Sequence, residues 1–196
     1  MNRKALVERK TNETEVKVSL NIDGVGERKF ETPVGFLNHM LDLFAKGGLF
    51  DLDIKASGDT LIDEHHTVED IGIVLGEVFA KALGEKKGIN RYGFFILPMD
   101  EALATVAIDF AGRYSFRFEC DFKREKVGDL STELIKHFWD AFAQNAKVNL
   151  YIKVENGENE HHKIEAIFKA TARAIRMACE LDPRAKDQIP STKGVL

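Results

Sequence analysis

Two copies of one histidine pattern limit the folds open to this protein. All six histidines fall into His39 followed by Glu64-His65-His66-Thr67-Val68-Glu69, and His137 followed by Glu160-His161-His162-Lys163-Ile164-Glu165. The offset from His39 to His137 nearly equals that from His65 to His161, so the elements between them must repeat as well. The pattern reads as an internal duplication carrying a metal site. On an α-helix, residues four apart share a face, whereas adjacent residues diverge by about 100°. His65 and Glu69 can therefore grip one ion while His66 points toward another, and His161, Glu165 and His162 repeat the arrangement. His39 and His137 add a third imidazole apiece, which makes a dinuclear centre the natural reading.

The donor set narrows the chemistry. Imidazole nitrogen and carboxylate oxygen without sulfur suit Mn²⁺, Fe²⁺, Co²⁺, Ni²⁺ or Zn²⁺ and do not select among them, and six to eight ligands exceed one tetrahedral zinc. A zincin is not supported, because His66-x-x-Glu69 is followed by Asp70 and no H-E-x-x-H occurs. Strong strand signals, with Pro33 and Pro98, argue against the long helices of a ferritin-like bundle. Cys120 and Cys179 stand far apart without a C-x-x-C motif, so both are expected to be buried thiols rather than a disulfide or zinc ligands.

Composition excludes other classes. With 196 residues, 44% of them hydrophobic and 14 of them Phe, there is enough apolar material for a real core. A net charge of −4 gives no basic footprint for nucleic acid. No apolar run approaches the roughly 18 residues of a membrane span, and the N-terminus turns polar too soon for a secretory leader. A cytoplasmic protein acting on a small molecule is expected.

Val16, Val18, Leu20 and Ile22 alternate with polar residues as in a half-buried strand, and a short strand follows around Glu27 to Thr32. Pro33 opens a helix bearing His39, with Phe36, Leu37, Met40, Leu41 and Phe44 on its apolar side and Gly47-Gly48 at its end. Leu52 to Ala56 reads as a strand, and Ile71 to Ala82 as an amphipathic helix that starts at the His65-His66 pair. The second half replays this order. Its strands lie near Ala104 to Asp109, Tyr114 to Cys120 and Val148 to Val154; its helices run through Leu134 to Phe142 and from about His161 to Cys179. The expected fold is α+β, a single domain of two β-β-α-β-α halves, about residues 1–90 and 91–196, with the helices packed between two mixed sheets.

Several motifs together are highly specific. They include Arg9-Lys10-Thr11-Asn12-Glu13-Thr14, Phe36-Leu37-Asn38-His39-Met40-Leu41, Gly58-Asp59 and Ile62-Asp63-Glu64-His65-His66-Thr67-Val68-Glu69-Asp70. Gly88-Ile89-Asn90-Arg91-Tyr92-Gly93, Pro98-Met99-Asp100-Glu101-Ala102-Leu103, His161-His162-x-x-Glu165-Ala166-x-Phe168-Lys169 and Pro190-Ser191-Thr192-Lys193-Gly194-Val195-Leu196 continue the series. Through them nearly the whole sequence resembles imidazoleglycerol-phosphate dehydratase of histidine biosynthesis. Asn38, where the family often has Asp, and Arg113-Tyr114, where Arg-Pro-Tyr is common, are mild departures.

The resemblance implies dehydration of imidazoleglycerol phosphate to imidazoleacetol phosphate with two Mn²⁺ per active site. The carbon-bound hydrogen that the substrate must lose is not next to a carbonyl, so the ring must take part. An imidazolate held between two metals could expel the adjacent hydroxyl, with metal acting as Lewis acid and template. The resemblance places His39, His65, His66, Glu69, His137, His161, His162 and Glu165 on the metals, with His65, Glu69, His161 and Glu165 central to catalysis. It makes Glu13 the candidate proton shuttle. It assigns the phosphate to Arg91, Arg113, Lys169, Ser191, Thr192 and Lys193, of which the last three would order on phosphate binding. Without it, Glu13 would be an exposed strand residue and residues 191–193 a polar terminus. Family members form shells of 24 subunits with active sites at subunit contacts, so a homo-oligomer sharing its ligand sets is expected, and a bifunctional protein is not. A dinuclear metallohydrolase of phosphate esters and a metal-storage shell remain as alternatives.

Overall fold

The structure, a computed structural model, describes residues 3–196. The first half consists of strands β1 (Lys4–Lys10), β2 (Thr14–Asn21) and β3 (Arg28–Glu31), helix α1 (Gly35–Gly48), strand β4 (Asp51–Gly58) and helix α2 (His65–Leu83). The second begins with β5 (Tyr92–Met99), β6 (Ala102–Asp109), β7 (Ser115–Glu119) and a short hairpin of β8 (Lys126–Val127) and β9 (Leu130–Ser131). Helix α3 (Glu133–Ala146), strand β10 (Asn149–Asn156) and helix α4 (Glu160–Cys179) complete it.

Two four-stranded mixed sheets repeat one topology, β1-β2-β4-β3 in the first and β5-β6-β10-β7 in the second. In each, one pairing is parallel, β3 with β4 and β7 with β10. Register places Val16, Val18 and Leu20 opposite Ala56, Ile54 and Leu52, and all six point into the core. The α+β architecture with helices between two mixed sheets is as expected, with one strand more at the start of each half. Both added strands are sheet edges, which explains why periodicity misses them. In β1 no residue is fully buried, and in β5 Tyr92, Phe94 and Ile96 face solvent, so Tyr92 to Met99 is apolar on both faces and does not alternate.

The helices pair across the duplication. Helix α2 covers the first sheet and packs on α3, while α4 covers the second and packs on α1. Phe44 of α1, Phe79 of α2, Trp139 and Phe142 of α3 and Phe168 of α4 interlock; Trp139 lies 5.8 Å from Phe44 and 4.9 Å from Phe168, ring centre to ring centre. Close approach of α2 to α3 depends on Gly72 and Gly76. A Cβ at Gly72 would lie 2.6 Å from the Phe138 carbonyl oxygen, and one at Gly76 2.5 Å from that of Phe142. Cys179 is buried and Cys120 half-buried, without a disulfide. Burial pushes both thiols up to about 12, so neither offers a thiolate at neutral pH.

The β8–β9 hairpin, which sequence periodicity also misses, ties the halves together. Val34 stands at the N-cap of helix α1, and its apolar side group offers no cap. Asp129 of the hairpin does so instead, accepting from the Gly35 and Phe36 amides at 2.5 and 2.8 Å. Ser131 donates to Glu64, at the start of α2, through its amide at 2.7 Å and its hydroxyl at 2.5 Å. Asp129→Ala is expected to cost about 1 kcal/mol, the usual worth of a cap. That corresponds to a fall of roughly 2–4 °C in Tm for a domain of this size, and an unchanged Tm would remove the cap from the account.

Candidate metal centre

The two helices that carry adjacent histidine pairs, α2 and α4, start in the same way. The Asp63 and Asn159 side chains accept from the His65 and His161 amides, each at 2.9 Å, which fixes the first turn and the directions of the paired imidazoles. One histidine of each pair turns toward the neighbouring helix and the other turns away.

Packing of α1 on α4 makes the first cluster. His161 Nε2 stands 3.2 Å and His39 Nε2 3.7 Å from Glu165 Oε2, and the three ligand atoms lie within 4.8 Å of one another. The two ring centres are 5.7 Å apart, and Phe36 meets His161 edge-to-face with ring centres 5.0 Å apart. Glu165 is almost fully buried and forms an ion pair with Lys169. Burial works against its ionisation, but the Lys169 ammonium and His161 outweigh that and hold its carboxyl below the usual range. Two imidazoles and a carboxylate with ligand atoms this close form a donor set that fits a divalent transition metal.

Packing of α2 on α3 makes the second. His65 and His137 face each other with ring centres 5.2 Å apart. Glu69 sits one turn along α2 from His65 and is half-buried, but these three do not close to the range of the first cluster. In both clusters the second imidazole comes from the opposite half. His39 joins His161 and Glu165, and His137 joins His65, because each half's first helix packs on the other half's second.

His66 and His162 turn away from these clusters toward loop carboxylates. His66 Nδ1 lies 3.1 Å from Asp59 and 3.7 Å from Glu13, its nearest acidic neighbours in the fold. The Asp59 hydrogen bond, with the Glu13 charge behind it, raises the His66 pKa. His162 Nδ1 lies 2.7 Å from Glu101, and its Nε2 3.4 Å from Asp100. The Glu101 contact raises the His162 pKa. His162 and Glu101, with Arg124, Glu158 and Asn159, border an open cavity of ≈ 530 Å³. Asp59, Asp100 and Glu101 lie in the motifs Gly58-Asp59 and Pro98-Met99-Asp100-Glu101-Ala102-Leu103, but the sequence assigned them no role. The available sign is that the β5–β6 turn at Asp100-Glu101 occupies the place of the β1–β2 turn that bears Glu13.

The residues assigned to phosphate do not gather at one point. The Arg91 guanidinium is forked onto Asp109 at 2.7 and 3.0 Å, and its remaining arm donates to the Pro190 carbonyl at 2.9 Å. It thereby holds the segment leading into half-buried Ser191 and exposed Thr192 and Lys193. Leu196 lies against Gly112, beside exposed Arg113. Lys169 is elsewhere, on Glu165 in the first cluster.

Comparison with known proteins gives a consistent result. The family profile described as imidazoleglycerol-phosphate dehydratase matches residues 32–175. An imidazoleglycerol-phosphate dehydratase of Rhodopirellula baltica is 54% identical over 195 residues, covering 100% of this sequence and 96% of that protein. A histidine biosynthesis bifunctional protein HisB of Spirosoma linguale is 57% identical over 99% of this sequence but only 50% of its own length. Among solved structures, imidazoleglycerol-phosphate dehydratase from Staphylococcus aureus superposes with a TM-score of 0.83 at 39% identity, covering 91% of this protein and 99% of that one. The Pyrococcus furiosus protein, solved in complex with (S)-C348, gives 0.83 at 33% identity, covering 97% and 100%.

Proposed function

The chain belongs to the imidazoleglycerol-phosphate dehydratase family, hydro-lyases of histidine biosynthesis, and from that premise we propose that it dehydrates imidazoleglycerol phosphate with two divalent ions, Mn²⁺ foremost. The observation that carries the metal reading is the convergence of His39, His161 and Glu165 within 4.8 Å. His65, His137 and Glu69 would hold a second ion, and His66 and His162 would supply outward ligands. Bound there, the ions would act as Lewis acids on the substrate's ring, making its N–H acidic enough to be lost as the neighbouring hydroxyl departs.

The protein's own residues do the remaining work. Glu13 sits on the β1–β2 turn, its amide bonded to Thr11 Oγ1 at 3.1 Å, with a well-exposed carboxylate beside His66. That position suits a group that takes the carbon-bound proton. General bases typically contribute 10²–10⁴-fold, so Glu13→Gln is expected to lower kcat by about 100-fold or more with metal content unchanged. Near-normal turnover in a fully loaded variant would remove Glu13 from the mechanism.

Helix α4 separates the two ends of the substrate. The Arg91 amide donates to the Ala178 carbonyl at 2.9 Å, whereas His161 lies in the helix's first turn. Seventeen residues at 1.5 Å each put these ends about 25 Å apart. A substrate of roughly 10 Å, from ordinary bond lengths, cannot touch both in one copy. The site is therefore completed by a second copy, which brings Arg113, Ser191, Thr192 and Lys193 to the first copy's metal cluster; a 24-subunit shell meets that requirement. Arg113→Ala and Glu165→Ala proteins, each inactive alone, should regain part of their activity when co-assembled. No recovery in mixed particles would argue that each copy is self-sufficient.

The deciding experiment follows imidazoleacetol phosphate and inorganic phosphate together in metal-stripped protein, with and without Mn²⁺. Mn-dependent ketone without phosphate release is expected. Phosphate alone would make the protein a hydrolase, and metal uptake without turnover a storage shell.

A further inference from the structure

His66 and His162 occupy the same position in the two halves, and each carries a carboxylate on Nδ1. The carboxylates come from unrelated places. Asp59 follows β4, directly after Gly58, whereas Glu101 belongs to the β5–β6 turn. Asp59 addresses His66 Nδ1 with both oxygens, at 3.1 and 3.3 Å, and Glu101 reaches His162 Nδ1 at 2.7 Å. The counterpart of the Glu101 turn does approach His66, through Glu13 at 3.7 Å, but the hydrogen bond to Nδ1 comes from Asp59 instead, so descent of the halves alone does not account for that contact. A common requirement of the two imidazoles does.

A carboxylate that accepts from Nδ1 puts the lone pair on Nε2 and fixes the ring's rotation; at His162 that Nε2 faces Asp100 at 3.4 Å, a contact that a bound ion would displace. Glu101 is itself anchored. Its other oxygen accepts from the Glu158 and Asn159 amides at 3.0 and 2.8 Å, which ties the turn to the start of α4. On the proton inventory alone, an imidazole without such an acceptor would populate both tautomers and several orientations.

We propose that Asp59 and Glu101 are positioning residues of the metal centre, each holding the outward histidine of its half with Nδ1–H engaged and Nε2 presented as a ligand. The inference rests on the metal reading given above and adds two residues that act through the outward histidines. It predicts that each residue serves one histidine and so one class of bound ion.

Asp59 gives the cleaner test, since Glu101 also caps backbone amides. Mn²⁺ binding is titrated in the intact assembly, with free Mn²⁺ read from its electron paramagnetic resonance signal. Loss of an outer partner typically weakens metal binding 10–100-fold, so Asp59→Ala should weaken one of the two binding steps by about that factor and leave the other near wild type. Asp59→Asn, which retains an acceptor oxygen, should recover part of the loss. Glu101→Gln, which keeps the oxygen facing the Glu158 and Asn159 amides, should weaken the other step. Equal Mn²⁺ isotherms for Asp59→Ala and a tightly binding wild type would overturn this inference alone. Loss of both steps together with a lowered Tm would also overturn it, as a purely structural role. A wild-type protein with no Mn²⁺ affinity would overturn the metal reading along with it.

Discussion

Gly72→Ala is expected to destabilise the protein and to weaken metal binding at the same time, although Ala is the better helix former. The helix-propensity gain is about 1 kcal/mol. Against it, the new methyl would sit 2.6 Å from the Phe138 carbonyl oxygen and 3.2 Å from Ala141 Cβ. A backbone oxygen cannot rotate away as a side group can, so α2 and α3 must separate. Overpacking of this kind costs about 1–3 kcal/mol, enough to reverse the propensity gain. Phe138 directly follows His137, and the separation therefore moves His137 away from His65, which it faces at 5.2 Å. A Tm lowered by several degrees, measured at fixed protein and metal concentration, with loss of the ion held between α2 and α3, is the expected result. A raised Tm with both ions retained would show that the crossing tolerates a methyl group.

Glu165→Ala should have the largest effect on function. Glu165 contacts His39, His161 and Lys169 together. Its removal strips the charged donor from the cluster and leaves a half-exposed ammonium without its counter-ion. Outer-shell losses cost about 10–100-fold in metal affinity, and loss of a direct ligand should exceed that range. One equivalent of Mn²⁺ should fail to bind, and kcat/KM should fall by at least about 100-fold. Wild-type binding of both ions in this variant would mean that Glu165 is not a ligand and that His161 and Glu165 do not share an ion.

The four helices were legible because their apolar faces recur with a 3.6-residue period and their polar faces carry the paired histidines. The central strands β2, β4, β6 and β10 were legible for the corresponding reason, alternation or short apolar runs that bury one face on the helices. Edge strands β1 and β5 have no such signature. Lys4–Lys10 is charged on its open side and only half-buried on the other, and Tyr92–Met99 carries aromatic residues on the face that meets solvent. The candidate ligands were legible as residue types, through spacing and through resemblance to a family. Their grouping was not: nothing local sends His39 to His161 rather than to His65.

The sequence by itself determined the duplication, the helices that carry the histidines, and the nitrogen and oxygen groups that are the candidate donors, because these depend on spacings of a few residues along one element. Only the tertiary structure decided that α1 crosses to α4 and α2 to α3, that Asp59 and Glu101 stand behind the outward histidines, and that Arg91 and the C-terminal segment lie at the far end of α4 from His161. Those outcomes come from burying four amphipathic helices between two sheets, a long-range packing problem whose solution is shared among residues from the whole protein.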